Sequence, residues 1–157
     1  MLGILGAEAT LEVHSHHNFA WREEVGGAPA WVVRKGRTPA FPGQAGFVGG
    51  SMGDDAVVLE GVDGPMAAGL LRSTVHGAGR VMGRKQALRS LARDDMQVWL
   101  RRRGVLLRGG DLDESPMAYR RLDEVLAHHT GTVRVLHRLR PFGVVMAGPG
   151  EFDPYKD

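Results

Sequence analysis

Cysteine is absent from all 157 residues. No disulfide can form within the chain, and no thiolate metal site can be built from it alone. Aromatic residues are scarce, at 6 %. No hydrophobic run approaches the roughly 20 residues that cross a bilayer. The first six residues are apolar but short and lack a basic flank, so they are not expected to act as a signal peptide; a cytoplasmic location is expected. A large excess of one charge is also missing: Lys and Arg total 20 against 18 Asp and Glu. Glycine is abundant, at 23 residues. With few aromatics, that suits a loop-rich α+β domain better than a helical bundle, and the length fits a single domain. Basic residues do cluster locally, at Arg80, Arg84, Lys85, Arg89, Arg93, Arg101, Arg102 and Arg103. Such a face meets phosphate or nucleic acid, or is simply a solvated helix surface.

The stretch Val75-His76-Gly77-Ala78-Gly79-Arg80 organises the rest. Glycine lets a backbone turn sharply and brings N–H groups up to a ligand with no Cβ in the way. An imidazole at the mouth of such a loop can meet a phosphate that the backbone already grips. His76 is therefore a candidate nucleophile or phosphate contact, with a plain surface turn as the competing reading. Gly49-Gly50-Ser51-Met52-Gly53 is a second glycine-rich loop, suited to an anion or nucleotide, or else a tight turn before a strand. His14, His16 and His17 crowd four positions. They raise a metal site or, equally, a polar strand end with satisfied histidines.

Periodicity predicts strands over 11–14, 30–34, 56–60, 105–107, 132–139 and 142–146, and helices over 20–25 and 84–92. A further helix runs from Asp94 to Arg103, with Asp94 and Gln97 as a capping box and Met96, Trp99 and Leu100 on its inner face. Ser115-Pro116 predicts another helix start, with Ala118, Leu122, Val125 and Leu126 as its apolar stripe. Residues 148–157 read as a polar tail. The chain shows no internal repeat and no second domain.

Taken in order, five motifs resemble those of the RtcB-type RNA ligases. They are His17-Asn18, Arg34-Lys35-Gly36, Gly50-Ser51-Met52-Gly53, His76-Gly77-Ala78-Gly79-Arg80 with Met82, and Pro116-Met117-Ala118-Tyr119. The resemblance runs from about His14 to about Val145 and corresponds to the C-terminal part of much longer family members. It implies an incomplete RtcB-like α+β fold over residues 1–157, with mixed sheets, short helices and glycine-rich loops, and without the N-terminal metal-binding half. It further implies a GTP- and Mn²⁺-dependent ligase that joins an RNA 3′-phosphate or 2′,3′-cyclic phosphate to a 5′-hydroxyl end. By motif match, His76 is guanylylated and His17 binds metal. Asn18, Gly50, Ser51, Met52, Gly77, Ala78, Gly79 and Tyr119 contact GTP or GMP, and Arg80 meets phosphate or RNA. Elementary chemistry agrees. Imidazole is largely neutral near pH 7, and a covalent intermediate divides one hard transfer into two easier ones.

The sequence departs from the family pattern in three places. The Asp, Cys and further His ligands of the family's metal pair have no counterpart here. Ala56 stands where a serine is common, and Met146 where a lysine contacts guanine; Lys156 is the candidate replacement. The resemblance thus implies the C-terminal piece of a longer ligase, with little or no ligation by itself and with a separate chain as one source of the missing half. Two other readings stay open: a non-catalytic nucleotide- or RNA-binding module, and a small metal protein built on His14, His16 and His17.

Overall fold

A computed structural model describes residues 2–148; the tail beyond Gly148, including Lys156, lies outside them. In chain order the first elements are α1 (Leu2–Leu5), β1 (Asn18–Val25), β2 (Ala28–Lys35), β3 (Arg37–Pro39), β4 (Ala45–Val48), β5 (Ala56–Gly61), α2 (Pro65–Gly69) and β6 (Ser73–Val75). Then come α3 (Arg84–Ser90), α4 (Arg93–Arg102), β7 (Leu106–Arg108), α5 (Leu122–Ala127), β8 (Val133–Leu139) and β9 (Gly143–Val145). Four small sheets result. β1 pairs with β2 and β3 with β6, both antiparallel; β4-β5-β8 form an antiparallel three-stranded sheet; β7 lies parallel to β9. This is a mixed α/β architecture, as the composition suggests.

The helix expected over 20–25 is instead most of β1. Gly26 and Gly27 both adopt positive φ, +60° and +82°, which makes a two-residue hairpin turn rather than a helix stop. The register Val25↔Ala28 then carries the pairing back to Asn18↔Lys35, and this ladder overrides the local helical composition. The strand expected over 11–14 does not form. Leu11 and Val13 instead line a cleft with Phe47, Val58 and Leu139 on one face of the three-stranded sheet. Ser115-Pro116 opens only a single 3₁₀ turn, Pro116–Ala118, and Tyr119 leaves it in an extended conformation. The α-helix begins later, at Leu122. Asp94 does not cap α4: the N-cap is Ala92, without a side-chain bond, and Asp94 and Asp95 lie in the first turn, where carboxylates favour the helix dipole.

Two apolar clusters hold the chain together. The first gathers Ala40, Val48, Val57, Leu59, Ala78, Leu122, Leu126 and Val133. The second gathers Met52, Met96, Leu100 and Val105, with Trp99, Leu107 and Met146 packed against it. Each glycine-rich loop therefore sends one apolar side chain inward: Ala78 into the first cluster and Met52 into the second.

Candidate functional site

Strand register decides where His76 stands. β3 and β6 pair with Arg37 opposite Val75, so Gly36 and His76, one residue outward on each strand, face one another. Gly36 has φ +65°, and a Cβ built on it would lie 3.5 Å from His76 Cε1. The Gly36 N–H donates to the His17 carbonyl at 2.8 Å and to Asn18 Oδ1 at 3.0 Å. This ties the start of β1 to the same point. The His17 and His76 rings are stacked, with centroids 5.1 Å apart and planes within 9°, and both residues are exposed. His14 and His16 belong elsewhere. They meet each other edge-on at 4.9 Å, and His16 leans on Phe19.

Beyond His76 the chain meets the second glycine loop. Gly49 and Gly77 form an isolated parallel β-bridge. Beside it opens a cleft of about 360 Å³, walled by residues 49–54 with Ala56, Glu114, Tyr119, Pro141, Val144 and Met146. Ser51 Oγ is buried in this wall without a hydrogen-bond partner. Asp54 fastens the loop from behind. Its Oδ1 accepts from Arg103 at 3.0 Å and Arg121 at 2.8 Å, and its Oδ2 accepts from the Leu122 N–H at 3.2 Å. The two guanidinium groups lie 4.6 and 4.8 Å from the Trp99 ring centroid, so cation–π attraction braces the ion cluster.

Arg80 and Tyr119 are joined by an antiparallel bridge. Arg80 Nη1 donates to the Tyr119 hydroxyl at 2.7 Å, and that hydroxyl donates to Glu114. Burial, and then the hydrogen bond and charge of Glu114, push the Tyr119 phenol up to about 12; the Arg80 charge opposes them. Arg80 Nε and Nη2 donate to the Met82 and Asp113 carbonyls, and Nη1 also donates to Glu114 at 3.3 Å.

The structure thus brings His17, Asn18 and His76 to one point, with Gly77 bridged to the loop of Gly50, Ser51 and Met52; Tyr119 lines the cleft of that loop. Ala78 turns its side chain into the core, and the Gly79 carbonyl accepts from the Arg120 N–H. Arg80 reaches the cleft only through Tyr119 and Glu114. Ala56 and Met146, two of the family departures, both line the cleft. Sequence reasoning missed Glu114 and Asp54. Asp54 directly follows the glycine loop, a position that invites attention, whereas no local pattern marks Glu114. Among the described residues no group of three or more His, Asp or Glu is placed to hold a metal ion, so the His14–His16–His17 metal site is not formed.

Fold and site define a class: a mixed α/β chain of small sheets in which two bridged glycine loops meet an exposed, stacked histidine pair. Comparison with known proteins makes this specific. The family model described as tRNA-splicing ligase RtcB matches residues 4–147, and the chain belongs to that family. It is 35 % identical to a tRNA-splicing ligase RtcB of Pyrococcus furiosus, with 90 % of the chain and 17 % of that relative covered. Identity to the Thermococcus kodakarensis tRNA-splicing ligase is 37 %, and to the Escherichia coli RNA-splicing ligase RtcB 34 %. Each of these matches covers 82 % of the chain and 31 % of the relative. The chain therefore spans a third or less of the length of these relatives. Among the described residues, no helix is long and apolar enough to cross a membrane.

Proposed function

We propose that the chain carries the nucleotidyl-transfer part of a GTP- and Mn²⁺-dependent RNA ligase of the RtcB type. In this reading residues 1–157 are the C-terminal part of the ligase domain and work in the cytoplasm. The observation that carries it is the placement of His76: exposed, stacked on His17, and one residue from the Gly49–Gly77 bridge. A ring nitrogen of His76 attacks the α-phosphorus of GTP. The bond to pyrophosphate breaks, and GMP stays on the imidazole. GMP then passes to an RNA 3′-phosphate, formed directly or by opening a 2′,3′-cyclic phosphate, and a 5′-hydroxyl end displaces it. Splitting the transfer in this way is what a nucleophilic side chain offers.

The cleft suits the nucleotide. Ser51 Oγ is buried and unpartnered, a donor waiting for an acceptor. Gly50, Met52, Gly77, Ala78 and Gly79 contribute backbone, Asn18 lies beside the histidine pair, and Tyr119 closes the far side. Arg80 adds positive charge toward phosphate, although its N–H groups are already engaged. Manganese is different. Mn²⁺ takes about six ligands, and of the described residues His17 would be the one to hold it; the other ligands would come from outside them.

Incubation with α-labelled GTP and Mn²⁺ tests the reading. Label is expected on the chain when the rest of the ligase fold is supplied, and its loss in His76→Ala. Label that survives His76→Ala would overturn the assignment. A second reading, a non-catalytic nucleotide- or RNA-binding module, rests on the same glycine loops and on the arginines around Arg80. Salt-sensitive RNA binding without any labelling would select it.

A further inference from the structure

A second concavity, behind Arg80, has no part in the scheme above. It holds about 470 Å³ and is walled by Arg80, Gly83, Arg84, Lys85, Gln86 and Arg89. Most of it comes from α3. Ala87 docks that helix and is fully buried, whereas Lys85 and Arg89 are exposed. These two stand four residues apart, on one helix face. α3 carries no acidic residue. The Glu114 carboxylate, beside the groove, is already shared by Arg80, Arg84 and Tyr119. Neither Lys85 nor Arg89 has an ion-pair partner among the described residues. Four cations and no carboxylate line this concave wall, which focuses positive potential on whatever enters.

Arg80 is the partition between this groove and the glycine cleft. Its guanidinium walls the groove, while its partners Tyr119 and Glu114 line the cleft. The groove therefore adjoins the cleft across Arg80 and its partners. No aromatic ring lines the groove, so it has no platform for stacking bases; what it offers is charge for backbone phosphates.

We propose that the α3 groove holds the phosphodiester backbone of the RNA strand whose 3′-phosphate end reaches the glycine cleft, with Lys85 and Arg89 as its outer phosphate contacts. The identity of the polymer rests on the ligase reading; the groove itself rests on its own geometry.

The test is binding of a fluorescein-labelled single-stranded RNA carrying a 3′-phosphate, followed by anisotropy across a salt series. The full chain is compared with Lys85→Gln/Arg89→Gln and with a control, Arg101→Gln/Arg102→Gln on α4, all checked for folding by circular dichroism. The α3 variant should bind about tenfold more weakly, and its slope of log affinity against log salt should be shallower by about 1.4, the counterion release of two phosphate contacts on a single strand. Affinity should not depend on base sequence. No RNA binding by the parent chain, an unchanged slope in the α3 variant, or an equal loss in the α4 control would overturn the proposal. Equilibrium dialysis with GTP distinguishes a free nucleotide: GTP affinity lost while RNA affinity holds would make the groove a polyphosphate site and overturn it too. Labelling of His76 is read separately with the rest of the ligase fold supplied, so RNA binding as described without labelling there leaves the groove standing and removes the ligase reading.

Discussion

Arg34 shows how much can hang on one side chain. It is 1 % exposed, yet its guanidinium grips Glu23 through two bonds of 2.6 and 3.0 Å and also donates to Ser73 Oγ and the Leu71 carbonyl. It clamps the β1–β2 hairpin onto a segment where Leu71 and Arg72 both have positive φ, 53° and 47°, a conformation that costs non-glycine residues energy. Arg34→Met leaves the partly buried Glu23 carboxylate without its partner and should destabilise the fold by about 3 kcal/mol, measured by denaturant unfolding. Tyr119 supplies the second prediction. Its phenol is held up to about 12, first by burial and then by Glu114. Its folded value lies above the unfolded one near 10, so its contribution to stability is complete below about pH 10 and is lost as pH rises toward 12. In a Tyr155→Phe background, where Tyr119 is the sole tyrosine, ultraviolet titration should show one late transition. Glu114→Gln should move it to lower pH.

At the scale of elements, local signals were legible and distant ones were not. α3 and α4 follow their periodicity almost to the residue, and β5 and β8 match their apolar runs, because those signals lie within the element itself. The composition of 20–25 predicts a helix, yet the segment belongs to β1 because pairing with β2 outweighs it; the Gly26-Gly27 turn that sets the pairing is visible in the sequence. The site divides the same way. The histidines and glycine loops are contiguous motifs and could be named from sequence. Asp54 and Glu114 could not, because their meaning lies in partners far along the chain: the Asp54–Arg121 contact spans 67 residues. The glycine loop also depends on its packing against α4. Gly53 has φ +76°, and a Cβ there would sit 2.6 Å from Leu100 Cδ2 and 2.9 Å from the Trp99 ring. Gly53→Ala should therefore cost about 1–3 kcal/mol and weaken nucleotide binding in parallel, as read by thermal unfolding and dialysis.

Across the whole molecule, the cleft lies over a seam. One lip is moored by Ala78 to the cluster around Leu59 and Leu122, and the other by Met52 to the cluster around Met96 and Leu100. The Gly49–Gly77 bridge, the Asp54 cluster and the flanking Val48 and Val57 join the two. On the proposed reading, a nucleotide seated across the seam would rivet the two clusters together. At a hundred times its Kd it should add about 2.7 kcal/mol to stability, read by calorimetry as a thermal transition moved to higher temperature.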